Sequence, residues 1–521
     1  MDTVAVNRLP VPISPYGPFA SLALHVHDLT IRGHHTETLV AADEAEAITL
    51  MLGDHRTRRV SRLGRMYALS SLGRLDEALA IGESLVSEHA SLLGPRATDA
   101  KMMADTAEVL IHIGRIDDGL HYVARAMAML DVAPPFGPRY YSAMASLCEA
   151  ARAAELFELA DDAMRRGLAS FESPDLLYRA GAELQHAELW LEWALRLEQV
   201  SRGEEAAALF DKSIALLEWW VGQGIDSPVG AALLAVGYAK TGRYEDARKI
   251  VDEMLLPMRA ARQQHEARLL HFAYGLVLRD TGDPRAARRE FLAAEELSVL
   301  PSQRLLFRYE LAVSVARELP PEAAQTVLLS LRSHVESLWQ LRLDRRTMLR
   351  QAYRRVELEA ARTSADLAAT SDALTGLGNR RMFDRRMESV EGGGSLLLID
   401  VDRFKNINDR FSHGVGDRVL AEIAAILRAH CRHDEVAIRF GGDEFAMFLH
   451  TGEREARMVG ERIRQVILAR DWSTIASGLT VTLSMGLAAC AEGEKGRDLY
   501  DRADARLYEA KRGGRNQLAA A

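Results

Sequence analysis

The sequence predicts an α+β chain: an all-α helical-repeat solenoid, then one connecting helix, then a smaller domain of order β-α-β-β-α-β. Three observations predict it. A helix–turn–helix phrase recurs through more than half of the chain, a stretch without Pro or Gly follows, and short apolar strands alternate with amphipathic helices after Asp372. The boundaries fall at 1–35 for an N-terminal segment, 36–331 for the repeats, 332–371 for the connecting helix and 372–521 for the last domain.

With 521 residues the chain exceeds what one hydrophobic core serves, so at least two domains are expected. From 36 to 331 it is rich in Ala, Leu, Glu and Arg at helical spacing. The recurring phrase reads "LSSLGRLDEALAI" at Gly73, "LIHIGRIDDGLHY" at Gly114, "EQVSRGEEAAALF" at Gly203, "YAKTGRYEDARKI" at Gly242 and "LRDTGDPRAARRE" at Gly282. Weaker copies lie near Ala154 and Leu319. Most copies stand about 40 residues apart, and each reads as a helix end, a turn and a new amphipathic helix. The wording resembles the tetratricopeptide repeat, whose period of about 34 residues is shorter, so the region is tetratricopeptide-like with longer helices or loops. Stacked helix pairs leave a concave face suited to a protein, peptide or small-molecule regulator, although no residue pattern marks a groove.

In the connecting helix Leu349, Tyr353, Val356, Ala360, Thr363 and Leu367 step by four and three, a coiled-coil seam weakened by Ala and Thr. Two readings stay open. The helix pairs with its copy in a homodimer, or it is a last repeat helix packed on its own domain.

In the last domain "SLLLIDVD" reads as a buried strand, "DRVLAEIAAILRAHC" as an amphipathic helix, and "VAIRF" and "FAMFL" as strands flanking the turn "GGDE". "EREARMVGERIRQVILA" is helical. "LTVTLSMGLA" alternates, placing Leu479, Val481, Leu483, Met485 and Leu487 on one face, and "DLYDRADARLYEAKR" closes as a helix. This order is that of a ferredoxin-like split unit. It lays the first strand beside the hairpin, so Asp400 and Asp443 can point into one site. Two carboxylates without nearby sulfur or imidazole favour a hard, oxygen-seeking ion such as Mg²⁺, with Mn²⁺ as the alternative, and hence phosphoryl or nucleotidyl transfer. Gly441 and Gly442, lacking a Cβ, allow a base or phosphate close to the backbone.

Three blocks, "DALTGLGNRRMFDRRM", "LLLIDVDRFKNINDRFSHGVGDRVL" and "RFGGDEFAMFL", followed by "VTLSMGLA" and "DARLYEAKRGGRN", resemble the GGDEF domain of diguanylate cyclases. The resemblance runs from about Asp372 to Asn516. It implies that two GTP molecules, one on each of two facing domains, become cyclic di-GMP with release of pyrophosphate. It implies Asp400 and Asp443 as side-chain ligands of the metal and Val401 as a carbonyl ligand. Asp443 is also the candidate base, with Glu444 completing the acidic pair. Asn408 and Asp417 match the guanine readers, and a carboxylate suits the paired N–H donors of guanine. Phe404 and Lys405 fall on the phosphate loop, His413 lies by the base pocket, and Lys511 and Arg515 match the phosphate-binding cations.

Two departures stand out. Ser412 occupies a position usually held by Gly, a harmless change as read from sequence. In the stretch matching the product-inhibition site, Arg432 is present but Glu435 replaces Asp, which puts feedback binding in doubt. Intact metal-pair residues favour an enzyme over the alternative, a silent GGDEF-like receptor for GTP or cyclic di-GMP.

The charge balance, 65 Lys+Arg against 74 Asp+Glu, gives no global reason to expect nucleic acid or a membrane surface as partner. Three dispersed cysteines argue for a reducing compartment. With no apolar run near the ~20 residues of a membrane span, and prolines in "MDTVAVNRLPVPISPYGPF", a cytoplasmic protein is expected.

Overall fold

The computed structural model describes every residue except 1–18, 32, 90–96, 171–175, 226, 300, 390–393, 433–434 and 521. It divides into two units, Met1–Glu357 and Leu358–Ala521.

Among the described residues of the first unit, fifteen α-helices run from Ala20 to Ala316, and a 50-residue helix, Pro321–Thr370, begins after them. The recurring phrases fall at the turns between helices, as at Ser71/Leu75, Ile113/Ile116, Lys240/Tyr244 and Asp280/Pro284. Gly73, Gly114, Gly242 and Gly282 take φ of 76, 95, 80 and 103°, the left-handed region in which a Cβ is crowded. Gly203 differs from this pattern: it opens the helix Gly203–Gly222, and Ser201 takes the left-handed turn position at φ 62°. Helices pack on the next helix and on the one after it, as Ala97–Ile113 does on Ile116–Val132 and Pro138–Ala153, burying Phe157 in one core and Leu217, Phe272 and Phe291 in another.

Two boundaries shift. The helix Ala20–Ile31 packs on the next two helices and buries Val26, so the segment expected over 1–35 joins the first unit from Ala20; residues 1–18 lie outside the described ones. The seam also divides. Leu349, Tyr353 and Val356 pack on the core that holds Leu120, Leu147 and Phe157, and the Tyr353 hydroxyl donates to Asp131 Oδ2 at 2.7 Å. Those three positions are therefore occupied within the unit, whereas Ala360, Thr363 and Leu367 are exposed.

The second unit is a mixed sheet clothed by helices. Strands β1 (Ser395–Val401), β2 (Val436–Arg439), β3 (Glu444–Leu449), β4 (Leu483–Ala489) and β5 (Leu518–Ala519) take the order β2-β3-β1-β4-β5. β1 is antiparallel to β3 and β4, β2 and β3 form the hairpin, and β5 is parallel to β4. β1 reads as an unbroken apolar run because both its faces are covered. Leu397 and Ile399 enter one core with Phe445 and Met485, and Leu396 and Leu398 enter another with Phe383 and Leu507. The alternating run from Leu479 becomes a strand only at Leu483, yet Leu479 and Val481 bury in the same core. The chain is thus a mostly helical region followed by an α+β domain. Among the described residues, no helix is long and apolar enough to cross a membrane.

Candidate functional site

The site forms where β1 ends beside the β2–β3 turn. Register places Asp400 opposite Glu444 on β3 and opposite Ser484 on β4. The turn closes tightly: Phe440 N and Gly441 N both donate to Glu444 O, at 3.1 and 3.4 Å, and Val401 N donates to Asp443 O at 3.1 Å. Asp400, Asp443 and Glu444 are thereby gathered at one edge. Burial lifts the Asp400 carboxyl above its usual range, and the charges of Asp443 and Glu444 lift it further, against the pull of Lys511. Lys511 Nζ donates to Asp400 Oδ2 at 2.6 Å from the helix Gly496–Arg512.

These residues fit a divalent cation. The donors are hard oxygens crowded enough to repel one another, and an ammonium already rests on one of them. Among the described residues no group of three His, Cys, Asp or Glu side chains forms a metal cage. A two-carboxylate set of this kind suits a hard, oxygen-seeking divalent cation that keeps part of its water shell.

A second cluster lies just past β1, on the helices Phe404–Phe411 and His413–Ala429. A Cβ on Gly416 would meet Asn408 Oδ1 at 1.9 Å and Phe404 Cζ at 3.1 Å. Asn408 and Phe404 therefore close over this glycine, and the exposed Asp417 follows it directly as the fifth residue of the second helix. Asn408 Oδ1 is buried without a hydrogen-bond partner, a state that a ligand N–H donor would relieve. Ser412, between the two helices, takes φ 110° and ψ 159°, a conformation natural to glycine, so the replacement is strained rather than harmless.

The remaining sequence-predicted residues are placed as follows. Glu444 Oε2 lies 2.3 Å from where a Gly441 Cβ would stand, so Gly441 makes room for the carboxylate, while Gly442 faces open space. Lys405, His413 and Arg515 are exposed. Arg432 and Glu435 sit away from this edge, before β2. Glu435 is buried, its Oε2 accepting from Arg432 N at 2.8 Å, so its carboxylate caps its own turn.

Two residues escaped the sequence reading. Asp402 is 7% exposed and accepts from Ser484 Oγ at 2.6 Å, Thr482 Oγ1 at 2.7 Å and Asn516 N at 3.0 Å. It ties the end of β1 to β4 and to the left-handed turn of Gly514, Arg515 and Asn516 that follows Lys511. Arg439 donates to Gly442 O from Nη2 at 2.7 Å and to Asp372 Oδ1 from Nη1 at 3.1 Å, bracing the turn from behind. Hydrogen bonds from Thr375 and Arg439 hold the Asp372 carboxyl below its usual range although burial opposes them. Asp402 stands two residues past Asp400 and Arg439 stands in the block "RFGGDEFAMFL", but nothing local in sequence marks the partners of either.

Residues 369–517 match the family model described as "Diguanylate cyclase, GGDEF domain". A diguanylate cyclase of Pseudomonas aeruginosa, DgcP, is 42% identical over 158 residues, 29% of this chain and 24% of that protein. A diguanylate cyclase of Vibrio cholerae, VdcA, is 38% identical over 173 residues, 31% of this chain and 51% of that protein. The chain thus spans between about a quarter and a half of the length of these curated relatives. Among solved structures, the coiled coil and GGDEF domain of DgcB from Caulobacter crescentus, in complex with c-di-GMP, is 33% identical. It covers 33% of this chain and 97% of that one, with a TM-score of 0.31.

Proposed function

We propose that this chain, which carries a GGDEF domain over residues 369–517, is a diguanylate cyclase that condenses two GTP into cyclic di-GMP and two pyrophosphates. In each of two attacks the 3′-oxygen of one GTP bonds to the α-phosphorus of the other. The bond to the oxygen bridging the α- and β-phosphates breaks, and pyrophosphate leaves.

The observation that carries the reading is the gathering of Asp400, Asp443 and Glu444 at one strand edge with Lys511 on Asp400. Asp400, Asp443 and the Val401 carbonyl would hold Mg²⁺ or Mn²⁺, which supplies neutralisation of phosphate charge and a lowered hydroxyl pKa. Asp443 and Glu444 are placed to accept the proton of the attacking hydroxyl. Asn408 and Asp417 read guanine. Phe404 and Lys405, which open the helix Phe404–Phe411 rather than lying on a loop, and Lys511 and Arg515 at and just past the last helix, bind the triphosphate. His413 borders the base, and Gly441 and Gly442 leave the turn open to the nucleotide.

Because each active half holds one GTP, the working form is a homodimer. The N-terminal helices, read as a tetratricopeptide-like solenoid, set its geometry in response to a regulator, and the protein works in the cytoplasm without nucleic acid or membrane. With its Oε2 engaged by the Arg432 backbone, Glu435 is turned to its own segment, which favours weak feedback inhibition.

Purified protein incubated with Mg²⁺ and labelled GTP, ATP or both tests the reading. Cyclic di-GMP from GTP alone is expected. The Asp443→Ala variant is expected to fold and to lose synthesis to background, a loss of at least about 10²-fold. Product from ATP, or synthesis retained in that variant, overturns the assignment.

A further inference from the structure

The first unit contains a groove that the sequence does not announce. Two cavities, of about 340 and 190 Å³, adjoin and share His112, Ala153, Glu155 and Arg196. Both lie among the helices before Glu357, and a volume of this order holds a small ligand.

The two ends differ in charge. Around the larger cavity five glutamates face three arginines, and at its centre Arg152 is shared by Glu192 at 2.5 Å, Glu188 at 2.8 Å and Glu149 at 3.5 Å. His265 Nε2 also stands 3.7 Å from Glu188, which leaves Glu149, with the longest of the three contacts to Arg152, the least compensated. Burial pushes Glu149 up to about 7, with Glu108, Glu188 and Glu192 adding to the push against Arg152. Around the smaller cavity three arginines face one glutamate. Here Gln199, only 7% exposed, accepts from Arg196 Nη1 at 3.3 Å through Oε1, and its Nε2 is buried with no partner. Arg345 Nη1 stands nearby, on the Ala154 carbonyl at 3.2 Å. Where the cavities meet, Glu155 pairs with Arg196 at 3.2 Å, and Leu191, Leu195, Val236 and Phe272 give the larger cavity an apolar wall.

We propose that the two cavities form one binding groove for a short dipolar peptide, its cationic group against Glu149 and Glu192 and its carboxylate against Gln199 and Arg345. The length follows from the helix Leu176–Gln199, which carries both ends. Glu192 and Gln199 are seven residues apart on it, about 10 Å at the helical rise, which an extended peptide of three to four residues spans. Val335, Trp339 and Arg342 of the helix Pro321–Thr370 line the smaller cavity, so the occupant touches the element that continues toward the GGDEF domain. The peptide is either a free oligopeptide or the C-terminal tail of a protein; the recognition chemistry is the same.

Calorimetric titration of the full chain, without GTP, tests the groove with the tetrapeptide Lys-Leu-Leu-Leu bearing a free terminal carboxylate. Binding is expected. The C-terminal amide of the peptide, and the variants Gln199→Leu and Glu149→Gln with unchanged unfolding transitions, are each expected to weaken it by about ten-fold or more. The same four residues fused to the C-terminus of a carrier protein separate the sources: equal binding assigns a protein tail, and lost binding assigns a free peptide. No binding of the free peptide, or binding indifferent to the amide and to both substitutions, overturns the proposal. Because nucleotide turnover is not the readout, either result stands apart from the cyclase reading.

Discussion

Ser412 shows how one side chain alters the site without touching substrate. Its φ of 110° and ψ of 159° belong to glycine, and it joins the helix carrying Asn408 to the helix carrying Asp417. Ser412→Gly is expected to stabilise the protein by about 1–3 kcal/mol, read from denaturant unfolding, with the base-reading residues unmoved; an unchanged midpoint removes the strain argument. Asp400 shows the converse, a residue whose native charge opposes folding. Its carboxyl is held above the unfolded value, so the folded state binds the proton more tightly, and stability falls as pH rises from the unfolded pKa through the folded one. At neutral pH in metal-free buffer the ionised group is a net burden. Asp400→Asn is therefore expected to leave the unfolding temperature unchanged or higher, to abolish synthesis, and to remove the rise in unfolding temperature that Mg²⁺ gives the wild type. A clear fall in unfolding temperature would mean that the Lys511 contact outweighs burial and repulsion.

At the scale of elements, the acidic turn is held at both ends by backbone and from behind by Arg439, which links Gly442 O to Asp372. Arg439→Ala frees the peptide just before Asp443. It is expected to lower kcat about a hundred-fold, the penalty of a misplacement near 1 Å, while far-UV circular dichroism stays native and KM for GTP changes little. Unchanged kcat would leave Arg439 as surface decoration. The strands and the acidic turn were legible because their signals are local: an apolar run ending in Asp400, two glycines and two acids between "VAIRF" and "FAMFL". Asp402 was not legible, because Thr482, Ser484 and Asn516 reach it from more than seventy residues away. The onset of β4 was misread for a related reason. Leu479 and Val481 keep the period-two burial of a strand, but pairing with β1 begins only at Leu483.

Across the whole molecule the helix Pro321–Thr370 carries the least legible feature. Its four-three apolar spacing was uniform in sequence, yet the structure uses it in two ways. Leu349, Tyr353 and Val356 pack on the helical unit, where Asp131 takes the Tyr353 hydroxyl, and from Glu357 to Ala368 every residue is exposed. Periodicity records that a face is apolar and not which surface covers it. Within the exposed stretch the seam residue Leu367 is 58% accessible, so among the described seam positions this short part is free to meet a second copy. A seam of barely three turns with Ala360 and Thr363 at its centre gives weak pairing. The dimer proposed for the cyclase should then be concentration-dependent and not permanent. Turnover per chain is expected to rise with protein concentration and to level off where light scattering reports the dimer mass. Leu367→Asp is expected to move that rise to higher concentration with no change in the unfolding of either unit, whereas Leu358→Asp, on the opposite face of the helix, is expected to leave it in place. Constant turnover per chain across the range, with a monomeric mass throughout, would mean that the two half-sites do not meet by this route.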